Sequence, residues 1–177
     1  MTEEIIMSGF GGQGIMLMGQ LIAYAGMIEN RQVSWIPSYG PEMRGGTANC
    51  SIIISDEPIG APTISEPTAV VAMNLPSIEK FEPVIQTGGV LIINSSLVQY
   101  TSSRNDIKVY QVPANDLAAE LGNVRVANMI IVGALVAAIG TVQSESVIKA
   151  FAKLFAKKPQ LLSINEKAIL QGTQCVL

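Results

Sequence analysis

The stretch Ile5-Ile6-Met7-Ser8-Gly9-Phe10-Gly11-Gly12-Gln13-Gly14 decides the fold. An apolar run, Ile5 to Ser8, is stopped by a glycine-rich turn and reads as a buried strand. Beyond the turn, Leu17, Leu21, Ile22, Ala25 and Ile28 recur at helical spacing and predict a helix over 15–28. Strand, turn and helix together satisfy the G-x-G-x-x-G pattern over Gly9–Gly14. Glycines there permit positive φ and close backbone approach, and a helix N-terminus offers free N–H groups to an anion. A dinucleotide site also wants a carboxylate at the end of the second strand, for a ribose. That strand, Val33–Ile36, runs into Pro37; Glu29 comes too early, and the next carboxylate is Glu42. The plainer alternative is a tight strand-to-helix turn packed against a neighbour.

Outward from this unit the elements alternate. Strands are predicted over 33–36, stopped by Pro37, and over 47–55, where Ile52, Ile53 and Ile54 stand together. Ala69–Met73 and Val90–Asn94 are continuous apolar runs, as in strands covered on both faces. A short helix starting at Pro76 and ending at Phe81 lies between them, and a further strand spans 107–112. Past Pro113 the pattern turns helical: 116–121, the nearly all-apolar 126–139, 144–155 and 159–170, with Gly172 as a C-cap. Alternation followed by a helical end predicts a three-layer α/β/α sandwich with a Rossmann-like first turn and a helical C-terminal part. The 177 residues fit a single domain, 1–177.

Composition removes whole classes of chemistry. There is no histidine, which excludes Ser-His-Asp and Cys-His systems and every His-containing metal site. Cys50 and Cys175 are the only cysteines, too few for an iron–sulfur cluster or a four-ligand zinc site. Two thiols far apart in sequence fit a reduced cytoplasmic compartment, although one disulfide is compatible with the count. The formal net charge is −3, which leaves no basic footprint for nucleic acid. The start, Met1-Thr2-Glu3-Glu4, is acidic where a signal peptide would be basic, and the apolar 126–139 run is too short to span a bilayer, so no membrane association is expected. Charged residues make up only 14% of the chain against 49% apolar, a surface suited to lying against another protein.

Two further features carry functional potential. The loop Pro37-Ser38-Tyr39-Gly40-Pro41-Glu42-Met43-Arg44-Gly45-Gly46 is fixed by prolines and glycines and displays Tyr39, Glu42 and Arg44. Its bland reading is an exposed turn with a weak Arg–Glu pair. Asn128, preceded by Arg125, opens an otherwise apolar helix, where a buried amide must find partners.

Together these motifs resemble the gamma subunit of the 2-oxoacid:ferredoxin oxidoreductases, the 2-oxoglutarate and 2-oxoisovalerate types in particular. The resemblance rests on Gly9–Gly14, on Pro37–Cys50 (PSYGPEMRGGTANC), on Ser55–Pro62 (SDEPIGAP), on Arg125–Met129 and on the end from Asn165 to Gly172. It spans essentially the whole chain, and the 37–50 stretch is its specific part.

The resemblance implies a division of labour. Thiamine diphosphate with Mg, and the iron–sulfur clusters, belong to alpha, beta and ferredoxin-like partner subunits, and coenzyme A is a co-substrate of the complex. This chain alone binds no cofactor or metal and carries no catalytic residue; isolated, it is inactive and prone to self-association. Gly9, Gly11, Gly12, Gln13, Gly14, Tyr39, Gly40, Glu42, Arg44, Gly45, Gly46, Asn49 and Asn128 are the candidates for contact with a partner or with coenzyme A. Arg44 suits bidentate capture of either a partner carboxylate or a coenzyme phosphate. The competing reading is an independent α/β protein that binds a nucleotide or phosphate through the Gly9–Gly14 turn.

Overall fold

A computed structural model describes residues 1–39 and 47–176, with the side chain of Tyr39 outside the description. Six strands form one mixed sheet in the order β2-β3-β1-β4-β5-β6. They are β1 (Thr2–Phe10), β2 (Gln32–Tyr39), β3 (Thr47–Ser55), β4 (Ala69–Ala72), β5 (Val90–Asn94) and β6 (Lys108–Val112). β1, β4, β5 and β6 run parallel, with Ile5 beside Ala69, Val70 beside Leu91 and Ile92 beside Tyr110. β3 is antiparallel to both β1 and β2. The helix α1 (Ile15–Ile28) therefore joins two strands of like direction, β1 and β2, with β3 wedged between them.

Side chains alternate across the sheet with the period of 2 expected of strands. Ile5, Met7, Val71, Ile92, Cys50, Ile52 and Ile54 face the larger core, whereas Ile6, Val70, Ala72, Leu91 and Ile93 face the smaller one. The larger core is roofed by α1, α3 (Ala114–Glu120), α4 (Ala127–Ile139), α5 (Ser144–Leu154) and α6 (Leu162–Thr173). The smaller is closed by α2 (Leu75–Phe81), through Ile78 and Phe81, and by the segments after β5. Helices thus cover both faces, as the sequence pattern predicts, but very unequally. Every residue of β4 and β5 is buried, in keeping with their unbroken apolar sequence.

α4 is apolar on all sides because it lies between the sheet and α6, with Met129 through Val136 buried. Its contact with α6 is close enough that a Cβ on Gly172 would strike the Ile130 carbonyl, and one on Gly133 the Ile169 carbonyl. Gly172 is therefore a packing residue inside α6, and the expected C-cap role passes to Gln174. Pro37 does not stop β2 either, which runs on to Tyr39. Among the described residues β2 pairs only with β3, so its other side is a sheet edge, where a residue without an N–H is tolerated.

Cys50 is fully buried beneath α1, its Sγ donating weakly to the Ile15 carbonyl at 3.7 Å. Burial pushes its thiol up to about 12, against a smaller opposing pull from the Trp35 N–H. Both cysteines are free.

Candidate functional site

The carboxyl ends of the parallel strands in an open α/β sheet are where such folds bind ligands, because helices and loops diverge there. β1 ends at Phe10, and the turn delivers the chain to α1 through Gly14, at φ 78° and ψ 21°. A left-handed residue costs a non-glycine about 1–2 kcal/mol. Space adds to that requirement, since a Cβ on Gly14 would meet the Asn128 amide. Gly12, at φ 93°, shares the left-handed conformation but faces open space, and Gly11 is exposed. α1 begins without a side-chain cap and without an acidic residue in its first turn, leaving the positive end of its dipole bare.

Gln13 folds back over the turn. Its Oε1 accepts the Phe10 N–H at 2.6 Å, and its Nε2 donates to the Met73 carbonyl at 3.3 Å. Met73, just past β4, in turn donates its N–H to the Ser8 carbonyl at 2.9 Å. Asn74 follows and caps α2, its Oδ1 accepting from the Ser77 N–H at 2.9 Å while Nδ2 has no partner among the described residues. At the end of β5, Asn94 Nδ2 donates to Asn115 Oδ1 at 2.8 Å. Ser96 Oγ accepts from the N–H groups of Asn115 and Asp116 at 3.1 and 3.2 Å, seating α3 beside them. A short 3-10 turn, Val124–Val126, capped by Asn123 Oδ1, brings Arg125 and the start of α4 to the same place.

Two adjoining hollows result. One, of about 210 Å³, lies among Gly12, Gly14, Asn115, Arg125 and Asn128; the other, of about 510 Å³, among Phe10, Asn74, Leu75, Pro76 and Gln99. Gln13, Met73 and Leu97 line both, so the two form one cleft across the ends of β1, β4 and β5. Among the described residues lining it, Arg125 is the only charged one; the remaining polar side chains are amides. The rim is apolar and open: Phe10 is 38% exposed, Leu75 43%, Leu97 50% and Val124 61%.

The displaced titrations lie elsewhere. The Arg104 guanidinium holds the Asp106 carboxyl down to about 2. The Tyr100 hydroxyl, donating to Glu82, is held above its usual range by that bond. Among the described residues, the cleft offers amides and one guanidinium for recognition. No group of three metal-ligating side chains occurs among the described residues.

The structure brings Asn128, at the start of α4, to the Gly9–Gly14 turn, against Gly14. Asn128 sits at the second position of α4, half-buried against the turn rather than inside the apolar helix. Asn49 lies in β3 beside Ser8, on the same end of the sheet. Gly40, Glu42, Arg44, Gly45 and Gly46, with the Tyr39 side chain, lie outside the described residues; the flanking Thr47 pairs with Phe10. The dinucleotide geometry is not reproduced, because β3 occupies the place beside β1 where the second parallel strand would bring a ribose carboxylate. Sequence reading missed Asn74, Leu75, Leu97 and Asn115. Their signal was position, just past or soon after parallel strands.

The chain matches the family described as pyruvate ferredoxin/flavodoxin oxidoreductase over residues 4–175. It is 34% identical over 172 residues to ketoisovalerate oxidoreductase subunit VorA of Methanothermobacter thermautotrophicus, covering 97% of this chain and 36% of that one. It is 36% identical over 153 residues to 2-oxoglutarate synthase subunit KorC of Methanocaldococcus jannaschii, covering 85% of this chain and 82% of that one. The chain thus spans about a third of the length of VorA but most of KorC. The keto/oxoacid ferredoxin oxidoreductase gamma subunit of Geobacter sulfurreducens superposes with a TM-score of 0.86 at 31% identity, covering 99% of this chain and 97% of that one. These agreements over the whole sheet and its glycine-rich turn make the chain a member of the pyruvate ferredoxin/flavodoxin oxidoreductase family, of the gamma-subunit type.

Proposed function

We propose that this chain, as a single domain over 1–177, serves a multi-subunit 2-oxoacid:ferredoxin oxidoreductase in a reduced cytoplasmic compartment, and that its cleft faces the partner subunits and coenzyme A. The complex would convert a 2-oxoacid to an acyl-CoA and pass electrons to ferredoxin. The names of VorA and KorC support 2-oxoglutarate or a branched-chain 2-oxoacid as substrate.

Thiamine diphosphate and iron–sulfur clusters supply the decarboxylation and electron transfer in this reading. The described residues of this chain do not fit either group, having neither a carboxylate cluster for a metal–diphosphate nor clustered thiolates. In this proposal those groups lie on alpha, beta and ferredoxin-like partners. In this reading the cleft takes the coenzyme. Arg125 offers a cation for a phosphate, the amides of Asn115 and Asn128 match the amides of a pantetheine arm, and the hollow beside Phe10 and Leu75 accepts its apolar length. The work of this chain would be to orient that arm and exclude water.

The observation that carries the reading is an amide-lined cleft with one guanidinium inside an exposed apolar rim. Such a rim is expected to be covered in the assembled enzyme. The independent phosphate-binding alternative is not favoured, because the family and the relatives matched over most of the chain are oxidoreductase subunits. The test is co-expression with the chains encoded beside it, followed by assays across 2-oxoacids. Activity is expected only in the assembly, and Arg125→Ala is expected to raise KM for coenzyme A several-fold. Full activity of the isolated chain, or an assembly indifferent to Arg125→Ala, refutes the corresponding half.

A further inference from the structure

The two halves of the cleft belong to different parts of the chain, the turn after β1 and the end of β4, and Gln13 is a side chain that bonds to both. Its carboxamide accepts from Phe10 N and donates to Met73 O. Each end of the amide is thus engaged with backbone. Gly9 makes this fold-back possible, since a Cβ there would collide with Gln13 Oε1 and lie 2.9 Å from Met73 Cβ. Gln13 also lines both hollows. A shift of this one side chain would change the width of the whole cleft.

We infer that Gln13 is a positioning residue: it tethers the glycine-rich turn to the end of β4 and so presets the separation of the two walls between which the coenzyme arm lies. Its oxygen takes up the Phe10 N–H, so that donor is held by the tether. The role in coenzyme binding rests on the reading given above; the tether does not.

Three variants of the assembled enzyme test this: Gln13→Ala, Gln13→Glu and Arg125→Ala. Gln13→Ala is expected to raise KM for coenzyme A about tenfold with kcat at saturation nearly unchanged, since small misplacements of a bound group cost such factors. Gln13→Glu keeps the acceptor for Phe10 N but sets a carboxylate oxygen against the Met73 carbonyl. Protonation restores a donor, so its KM, taken as a ratio to wild type, is expected to fall as pH drops from about 8 to about 5.5, because the facing carbonyl raises that carboxyl's pKa. Gln13→Ala has no such recovery, and a merely structural defect would not show one.

Amide hydrogen exchange on the full chain reads the tether directly. Phe10 N–H is expected to exchange at least about tenfold faster in Gln13→Ala than in wild type. Unchanged exchange at Phe10 overturns the tether. Faster exchange with an unaltered coenzyme KM, while Arg125→Ala raises it, overturns the positioning role and leaves the coenzyme site standing. No change of KM in any of the three overturns the coenzyme reading, and the positioning role with it.

Discussion

The two ends of the sheet are built on opposite principles. At the amino end of the parallel strands the loops are tied by charge. The amino terminus and Arg31 Nε both lie 2.7 Å from the Asp56 carboxylate, while the Arg31 Nη groups donate to the carbonyls of Thr141 and Met1. Across the same end Arg104 forks onto Asp106 and also donates to the carbonyls of Glu82 and Ile85. At the carboxyl end there is no ion pair among the described residues; amides bond to backbone and to each other, and Phe10, Leu75, Leu97 and Val124 face outward. One end is finished within the chain. The other leaves apolar side chains exposed, so residues that look equally conspicuous in the sequence differ in what they stabilise.

The largest effect belongs to the layer that both ends share. Gly172→Val would drive a branched side chain into the Ile130 carbonyl and force α4 and α6 apart, costing about 3 kcal/mol. Thermal denaturation should show a fall in Tm of roughly 10 °C. A variant melting with wild type would mean that the helices can slide without loss, and that the ends are not held by a common core.

A matched pair of arginines sharpens the comparison next. Arg31→Ala leaves the Thr141 carbonyl without its donor and should cost about 1–2 kcal/mol in urea unfolding. Arg125→Ala, exposed at the open end, should stay within about 0.5 kcal/mol of wild type while weakening assembly or coenzyme binding. Equal losses of stability would erase the distinction.

Acid should act on the closed end alone. Asp106 and Asp56 are both held below the ordinary carboxylate range, Asp106 by its bond from Arg104 first of all and Asp56 by the amino terminus. A depressed carboxyl contributes stability above its unfolded pKa of about 3.9, and that contribution is lost as pH falls through the folded value. Tm should therefore decline between about pH 4 and about pH 2, and Asp106→Asn should flatten that decline. An unchanged slope in Asp106→Asn would remove this pair from the acid response.

The smallest change in stability is expected at the rim. Leu97→Ser combined with Val124→Ser should leave the unfolding midpoint nearly unmoved while lowering self-association of the isolated chain in sedimentation runs. If association persists, the apolar rim is not the sticky surface.

Much of this architecture was legible before any coordinates. Helix 15–28 and strands 47–55 and 90–94 fall where periodicity and unbroken apolar runs put them. What failed, failed for tertiary reasons. Gly172 follows a helical pattern and looks like a terminator, yet it lies one residue inside the end of α6, and what requires a glycine there is the approach of α4. Pro37 looks like a stop, yet an edge strand has a side that needs no N–H. The wedging of β3 between β1 and β2 has no local signal, because pairing is decided between distant segments. In the cleft, the glycine turn and Asn128 stood out as motifs, whereas Asn74 and Asn115 matter only through the strand ends they follow.

The shielded thiol beneath α1 turns the protein into its own stopwatch. Cys175 lies half-buried at the end of α6, and Cys50 sits under α1 with its ionisation pushed to about 12. A thiol-specific reagent will mark the first while the second stays silent until α1 lifts from the β2–β3 hairpin. The rate of that second labelling therefore times the opening of the element that carries the glycine-rich turn, with no probe introduced by mutation.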